Sequence, residues 1–303
     1  MFIKKWLNKI PAHRKGLVYI SFTALLWSSS GLFIKILSLD ALQISFFRSG
    51  IAAITVFIIS ALRGRGKPNS SKILFDRISI LSAFFYAGIL IFFVVATKKT
   101  TAANAIFLQF TAPIYLLVLE PVFLKTKFEP RNLITIAVTV CGMILFFFGK
   151  LELGSIYGNM FAIVSGICFA VFSLLLRKQR TEHKTTNTLG STIMGNALVA
   201  VITFFFIFPN FALNSSEILI LLYMGIFQIG ISYVIFNAGI KYVSATESMI
   251  IATMEAIFNP IWVFLGIGET PSIYAIAGGL IIMSAILWRN LSKGVKEKMI
   301  MVD

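Results

Sequence analysis

Hydrophobic residues fall in ten long runs along the chain, and polar residues are concentrated in the short segments between the runs. A helix that crosses the hydrocarbon core of a bilayer needs about 20 mainly apolar residues. The pattern therefore predicts ten transmembrane helices, over 16–37, 41–62, 78–97, 101–124, 133–149, 154–176, 188–208, 217–239, 245–265 and 272–289. A transmembrane β-barrel is excluded, because no ten-residue segment shows the alternation that barrel strands require.

The composition supports a polytopic membrane protein and excludes the main soluble classes. Of the 303 residues, 58% are hydrophobic and 13% are charged, whereas soluble domains are roughly half apolar and about a quarter charged. The chain has two Cys and two His, so we predict neither a metal site nor a disulfide framework. The P-loop, H-E-x-x-H, C-x-x-C and G-x-S-x-G motifs are absent from the sequence, so no cofactor is predicted.

Positive charge is distributed unevenly between the two sides of the predicted membrane. The net charge is +15, but the basic residues do not form one face or stripe, so a nucleic-acid partner is not predicted. If the N-terminus is cytoplasmic, 22 of the 27 Lys and Arg residues fall on the cytoplasmic side and four on the other side. Since cytoplasmic loops of membrane proteins are enriched in Lys and Arg, we predict that both termini are cytoplasmic.

A weak internal repeat relates the two halves of the chain. Phe84–Phe93 aligns without gaps with Phe227–Phe236, and the same offset of 143 residues places Lys98 on Lys241. Two halves of five helices must enter the membrane from opposite sides, because five is odd. Inverted repeats of this kind are typical of secondary transporters, which bind substrate near the midplane between the halves. The predicted organisation is a cytoplasmic tail (1–15), a first repeat (16–149), a second repeat (154–289) and a basic cytoplasmic tail (290–303).

Short segments in both halves carry a family resemblance. They are Ala24-Leu-Leu-Trp27-Ser-Ser-Ser-Gly31, Phe46-Phe-Arg48, Phe107-Leu-Gln-Phe-Thr-Ala-Pro113, Lys241-Tyr-Val-Ser-Ala-Thr-Glu247, and Met254-Glu255 followed by Phe264-Leu-Gly266 and Glu269. These segments resemble the two EamA repeats of the drug/metabolite transporter superfamily, over about residues 16–288. One departure is that Ala256, rather than Pro, follows the Glu of the ninth helix, and Pro260 comes a turn later.

The resemblance implies that helices 1–4 and 6–9 surround a central cavity, with helices 5 and 10 at the periphery. It also implies a secondary transporter that moves a small metabolite, an amino acid or a similar amphiphile, across the plasma membrane by alternating access. Export with proton coupling is the preferred interpretation, and an uptake permease or an uncoupled facilitator is the alternative. An intramembrane enzyme or a membrane scaffold fits less well. The partners are a small-molecule substrate, the lipid bilayer and, as a candidate, a second copy in a homodimer.

Glu255 is the strongest candidate for a functional residue. It lies about 11 residues beyond the predicted helix cap at Ser244, hence roughly 16 Å into the membrane. A charged acid at that depth costs at least about 2.5–3.5 kcal/mol, so it should face a cavity, pair with another group or carry a proton. One interpretation is contact with a substrate amine or a transported proton, and the other is a protonated acid bonded to a neighbouring helix. Glu247 instead fits a capping box with Ser244.

Two basic residues lie in or near predicted helices on the side away from the cytoplasm. Arg48 is roughly 10 Å below that surface. Its guanidinium fork matches a substrate carboxylate, and the alternatives are that the side chain extends outward to the surface or bonds helix-terminal carbonyls. Lys35 lies closer to the surface and is interpreted as an anchor.

The remaining candidates for the cavity lining are polar and aromatic residues within the predicted helices. An unpaired amide in hydrocarbon is costly, which favours amides that contact substrate or a neighbouring helix. Pro113 and Pro260 each remove a backbone donor and are predicted helix breaks. The lining candidates are Trp27, Ser30, Tyr86, Gln109, Phe172, Gln228, Tyr233 and Asn237.

Overall fold

The computed structural model describes residues 11–64, 77–124, 131–145, 153–183, 189–240, 242 and 245–300. Among these residues the chain forms ten helical segments and no β-strand. The segments are α1 (Ala12–Ser28 and Ser30–Ile36), α2 (Ala41–Gly64), α3 (Arg77–Lys99), α4 (Ala102–Gln109 and Ala112–Leu124), α5 (Arg131–Leu145), α6 (Leu153–His183), α7 (Leu189–Ile207), α8 (Ser215–Leu222, a π-helix over Tyr223–Ile231, and Ser232–Gly239), α9 (Ala245–Ile267) and α10 (Ile273–Ile300). The ten ranges predicted from the hydrophobic runs fall on these segments.

Seven of the segments in the described residues, α1–α4 and α6–α8, are long and apolar enough to cross a membrane. The other three contain shorter apolar stretches, over Leu133–Leu145, Ile251–Ile267 and Ile273–Trp288. Large apolar side chains cover the outside of the bundle; Phe205, for example, is 75% exposed. An exposed apolar surface of this extent is typical of a protein that contacts lipid. The prediction of an all-α membrane protein is confirmed.

Four connections between helices meet at one end of the bundle, which we call the upper end. They are 37–40, 100–101, 208–214 and 268–272. Lys35, near the end of α1, contacts both Thr100 and Glu269. The side-chain amide of Gln43, in the first turn of α2, donates to the carbonyl of Asn210 over 3.3 Å. Side-chain contacts therefore join connections of the first half to connections of the second half.

Two helices of the first half end at the upper end, where two helices of the second half begin. The hydroxyl of Thr100, directly after α3, donates to Asn159 near the start of α6 over 2.9 Å. The hydroxyl of Ser38, directly after α1, donates to Glu217 in the first turn of α8. Thus α1 and α3 end where their counterparts, α6 and α8, begin.

Helix packing follows the same relationship between the halves. α3 packs against α6, as α8 packs against α1; α4 packs against α6, as α9 packs against α1. α3 packs against α7, as α8 packs against α2, and α5 packs mainly against its counterpart α10. If each helix is exchanged with its counterpart in the other half, which is five helices away along the chain, the same set of helix pairs results. The interface between the halves is therefore built from α1–α4 and α6–α9.

Three helices depart from regular α-helical geometry in their interior. α1 is interrupted at Ser29, and α8 is π-helical over Tyr223–Ile231. α4 is interrupted at Phe110 and Thr111, directly before Pro113. Pro113 therefore lies in the first turn of the next helical stretch, where its missing N–H costs no helical hydrogen bond.

The helix break expected at Pro260 is absent. α9 is continuous over Ala245–Ile267 and passes through Pro260. Because proline has no N–H, the helix loses one bond, to the carbonyl of Ala256. On either side of the proline, Asn259 and Trp262 donate to serine hydroxyls of α1 over 3.2 and 2.9 Å. These contacts anchor α9 on α1 on both sides of the residue that was predicted to break it.

Candidate functional site

Four aromatic rings from four helices form a continuous row inside the bundle, which we call the aromatic row. The ring centroids of Trp27 (α1) and Tyr233 (α8) are 5.0 Å apart. Tyr233 meets Tyr86 (α3) edge to face at 5.3 Å, and Tyr86 meets Phe172 (α6) at 5.1 Å. These separations are favourable for aromatic pairs. Since α6 is the counterpart of α1 and α8 is the counterpart of α3, the row crosses the interface between the two halves.

Hydrogen bonds and close packing hold the rings of the aromatic row. The indole N–H of Trp27 donates to the hydroxyl of Ser232 over 2.8 Å. On the other side, α7 approaches Tyr86 at Gly195, where an added Cβ would lie 2.5 Å from a ring carbon of Tyr86. Only a residue without a side chain fits this approach. The row is therefore positioned by α1, α7 and α8 as well as by its own contacts.

Arg48 lies beside the aromatic row and is almost completely buried, with 2% of its surface exposed. Its guanidinium is within electrostatic range of Tyr86 and Tyr233. Its Nε has no hydrogen-bond partner among the described residues. A buried cation is costly unless it is paired and hydrogen-bonded. Arg48 therefore does not extend to the surface, and the two predicted partners that this leaves are a substrate carboxylate and helix-terminal carbonyls.

Glu255 on α9 lies within electrostatic range of the ring hydroxyl of Tyr233. The residue is deep in the bundle, yet its side chain is only partly buried. Tyr233 combines depth and partial exposure in the same way, and Trp27, which packs against it, is also partly exposed. Side chains that are deep but still accessible line an internal space. Tyr233, at the wall of this space, has both a buried cation and an acid within electrostatic range.

Buried polar atoms without a partner are concentrated near the aromatic row. Nearly all buried polar groups in proteins are hydrogen-bonded, so each exception needs a water or a ligand. Seven of the nine such atoms found in the described residues lie on α2, α3, α7 and α8. The nine are Arg48 Nε, Ser49 Oγ, Ser82 Oγ, Tyr86 Oη, Thr139 Oγ1, Ser191 Oγ, Asn196 Oδ1, Gln228 Oε1 and Asn259 Oδ1. The Tyr86 hydroxyl and Asn196 are close enough for a weaker hydrogen bond to each other, and Tyr233 is a similar neighbour of that hydroxyl. The other unpartnered atoms on these helices can bond to polar groups of a bound molecule or to ordered water.

Two predicted lining residues lie in helix contacts away from the aromatic row. The amide of Gln109 donates to Ser165 over 2.7 Å, and Ser165 donates to a backbone carbonyl of α3. Ser30 accepts a hydrogen bond from Asn259. In both cases the structure shows the helix-to-helix contact that is the alternative to substrate contact. Gln228 and Asn237 are both buried in α8.

Glu247, the acid that the sequence assigns to a helix cap, lies at the edge of the described part of the chain. α9 begins at Ala245, and the partner of the predicted capping box, Ser244, is outside the described residues. The side chain of Glu247 is also outside them.

Ala112, the counterpart of Glu255 in the internal repeat, is buried in α4 with 3% exposure. Since α4 packs against α9, these two positions lie on neighbouring helices.

The sequence patterns missed an ion pair at the upper end. Lys35, interpreted as a surface anchor, lies 2.8 Å from a carboxylate oxygen of Glu269 and also donates to the carbonyl of Thr100. Both side chains of the pair are largely buried, with 17% and 20% exposure. The sequence did contain a signal for this ion pair, because Lys35 and Glu269 carry opposite charges next to the ends of the first and ninth predicted helices.

Comparison with known proteins identifies the chain's relatives. Two segments, residues 14–148 and 156–291, match the model of the EamA-like transporter family. An "uncharacterized transporter" of Archaeoglobus fulgidus is 26% identical over 91% of this chain and 97% of its own length. Human solute carrier family 35 member G1 is 23% identical over 92% of this chain and 79% of its own length.

A solved protein structure shares the fold, with a TM-score of 0.62 at 14% sequence identity. The similarity covers 89% of this chain and 94% of that one. The named relatives are transporters, and the match extends over nearly the whole chain. These findings indicate a non-enzymatic membrane transporter.

Proposed function

Because the chain belongs to the EamA-like transporter family, we propose that it is a secondary transporter of a small amphiphilic metabolite of the amino-acid type. The substrate crosses the plasma membrane by alternating access, and export is the preferred direction. The sequence has no ATP-binding motif, so transport is driven by a gradient. The site between the two halves, at the aromatic row, binds the substrate.

In this proposal all ten helical segments cross the membrane, with both termini in the cytoplasm and the upper end outside. The distribution of basic residues supports this orientation, with 22 of 27 on the cytoplasmic side. An inverted repeat is supported by the opposite directions of α1 and α6 and of α3 and α8 at the upper end. The symmetric packing of the ten segments supports it as well.

Arg48 is proposed to bind the carboxylate of the substrate. Its planar guanidinium matches a carboxylate with two parallel hydrogen bonds. Burial and the unpartnered Nε leave this cation without compensation in the described residues. A substrate carboxylate would supply the missing charge and the missing acceptor. This buried, unpartnered cation is the observation that carries the proposal.

Glu255 is proposed to bind the substrate ammonium or to carry the coupled proton. It shares Tyr233 with Arg48 as an electrostatic neighbour. A zwitterion placed along Tyr233 would therefore present its carboxylate to Arg48 and its ammonium to Glu255. The apolar part of the substrate would pack on the rings of the aromatic row. An acid that must discharge a proton or a cation in each cycle also explains a carboxyl group at this depth.

Counterflow in liposomes tests the proposed substrate class. The purified protein is reconstituted, and three labelled compounds with the same aromatic ring are compared: the amino acid, the amine without the carboxylate, and the acid without the amine. We expect the amino acid to exchange fastest, because only it satisfies both charged residues. In Arg48→Gln we expect the preference for the amino acid over the amine to disappear. Equal exchange of amino acid and amine by the wild-type protein would contradict the assignment.

Two further measurements complete the test. An imposed pH gradient that drives accumulation of substrate would support proton coupling, whereas exchange without accumulation would support an uncoupled facilitator. Chemical crosslinking of the reconstituted protein tests the proposed homodimer. The site of this proposal lies within one chain, so transport itself does not require a second copy.

A further inference from the structure

A compact set of polar contacts joins several helix ends at the upper end of the bundle. The ammonium of Lys35 lies 2.8 Å from Oε2 of Glu269 and donates to the carbonyl of Thr100 over 2.8 Å. The other carboxylate oxygen of Glu269, Oε1, accepts the backbone N–H of Ala102 over 2.7 Å. One carboxylate thus joins the end of α1, the start of α4 and the connection that follows α9. We call these four residues the Lys35 latch.

The carboxylate of Glu269 is well placed for both of its contacts. The first N–H groups of a helix have no partner within the helix, and an acid near a helix N-terminus is stabilised by the helix dipole. Glu269 satisfies one such N–H at the start of α4. Because Lys35 and Glu269 are largely shielded from water, their attraction is less screened than that of an exposed pair.

The latch holds a short helical arm, Ser30–Ile36, which forms the last part of α1. The arm is separated from the rest of α1 by Ser29, where the helix is interrupted. The hydroxyl of Ser29 bonds back to the carbonyl of Leu26 over 2.7 Å and also contacts the hydroxyl of Tyr223. An interruption of this kind is a position at which a helix can bend.

The arm lies between the aromatic row and the upper end. Trp27 of the aromatic row precedes the interruption by two residues, and Lys35 of the latch is near the far end of the arm. Between them, Phe33 of the arm contacts the ring of Tyr223, with centroids 4.8 Å apart. Tyr223 is the first residue of the π-helix in α8. The arm and its hinge therefore lie against Tyr223, between the aromatic row and the latch.

We propose that the Lys35 latch is the outer gate of the transport cycle, with the arm as its moving part and Ser29 as the hinge. The proposal rests on the proposed function, because a gate requires a transported substrate. In the closed state the latch holds the arm against α4 and the connection after α9. Opening to the outside breaks the contacts of Glu269 and moves the arm away from Tyr223. Lys35 and Glu269 are thus positioning residues that act on access to the site and do not bind the substrate.

Labelling of a single cysteine tests the gate without any measurement of transport. In a variant with alanine at Cys141 and Cys168, Tyr223→Cys places a thiol under the arm. A membrane-impermeant thiol reagent is added from the outside. We expect Glu269→Gln to increase the labelling rate several-fold, because a weaker latch shifts the population toward the open state. Lys99→Met is the matched control, since it removes an exposed positive charge at the same end.

The outcome distinguishes a gate from a static brace. A brace would lose stability in Glu269→Gln, while labelling of folded protein would stay at the rate of the Lys99→Met control. An unchanged labelling rate in Glu269→Gln that retains the melting temperature of the parent protein would overturn the proposal. Labelling does not depend on substrate, so this result stands even if the proposed function fails.

A reversible crosslink provides the second test. A Cβ added at Gly266 would lie 3.3 Å from Cγ of Leu32. In Leu32→Cys, the cysteine sulfur occupies the position of this Cγ atom. This separation suits a disulfide between Leu32→Cys and Gly266→Cys, which would hold the arm on α9. We expect the oxidised protein to lose transport and the reduced protein to regain it. Full transport by protein that is crosslinked, as verified by mass spectrometry, would overturn the gate. If neither redox state transports any substrate, the proposed function fails, and the labelling result alone decides the gate.

Discussion

The indole N–H of Trp27 donates a 2.8 Å hydrogen bond to the hydroxyl of Ser232, a residue 205 positions further along the chain. The bond joins α1 of the first half to α8 of the second half. The ring of Trp27 also packs against Tyr233, which has both Arg48 and Glu255 as electrostatic neighbours. A single side-chain contact across the two halves therefore orients one wall of the proposed substrate site.

Trp27→Phe should weaken substrate binding more than it weakens the fold. The change keeps an aromatic ring in the row but removes the donor to Ser232, and side-chain hydrogen bonds within membranes contribute on average about 0.6 kcal/mol. We expect a several-fold increase in KM for counterflow and a small decrease in melting temperature. Trp262→Phe is the matched control, since that indole donates to Ser28 between α1 and α9. It should cause a similar loss of stability with an unchanged KM.

Arg48→Met should strongly reduce exchange of the amino acid, down to the level of the amine, while leaving stability equal or higher. Replacement of a buried charge by an apolar side chain of similar length removes its desolvation cost, and such replacements are often neutral or stabilising by about 1–4 kcal/mol. Counterflow and thermal unfolding measured on the same preparation check both parts. A large loss of stability would show that Arg48 has a structural partner and would remove the argument for a substrate carboxylate.

Gly195→Ala should destabilise the protein by about 1–3 kcal/mol, the usual cost of overpacking. The added Cβ would lie 2.5 Å from the ring of Tyr86, so α7 and α3 must separate and the aromatic row must shift. Gly50→Ala, on α2, is the control, because the nearest atom to its added Cβ is 3.9 Å away. We expect this control to be neutral or slightly stabilising, as alanine is a better helix former than glycine. Equal melting temperatures for the two variants would contradict the close approach of α7.

Topology can be checked with reporter fusions. Fusions at Lys67, Glu182 and Asp303 should give cytoplasmic signals, and a fusion at Ser215 should give an external signal. The basis is the excess of Lys and Arg in the segments assigned to the cytoplasm. A cytoplasmic signal at Ser215, the first residue of α8, would contradict the orientation of the upper end and, with it, an outer gate at Lys35.

The helices could be predicted from sequence because lipid leaves few alternatives. A run of about 20 apolar residues must satisfy its own backbone hydrogen bonds, and a helix does so within one segment. A helix is present even at the range predicted over 245–265, as α9, although it contains both Glu255 and Pro260. The break expected at Pro260 was wrong because contacts with α1, a distant segment, anchor the helix on both sides.

The contacts of the site were harder to predict, because partners are far apart in sequence. Trp27, Tyr86, Phe172 and Tyr233 were candidates through their position in the helices, and the structure brings them into one row. The same reasoning selected Gln109, whose partner Ser165 is 56 residues away and belongs to a helix contact. No local pattern distinguishes these two cases. The π-helix in α8 has no local signal either, since its sequence is as apolar as its neighbours.

Glu255→Gln should separate proton coupling from substrate binding. The substitution preserves shape and hydrogen bonding and removes the titratable proton, since an amide can both donate and accept. We expect the variant to insert and accumulate normally and to lose accumulation of substrate driven by a pH gradient. Exchange at equal pH on both sides should persist if Glu255 only carries the proton, and it should be lost if Glu255 binds the substrate ammonium. Glu247→Gln is the matched control on the same helix, because an amide still serves a capping box. Accumulation equal to the wild-type level in Glu255→Gln under the same gradient would leave Glu255 without a role in coupling.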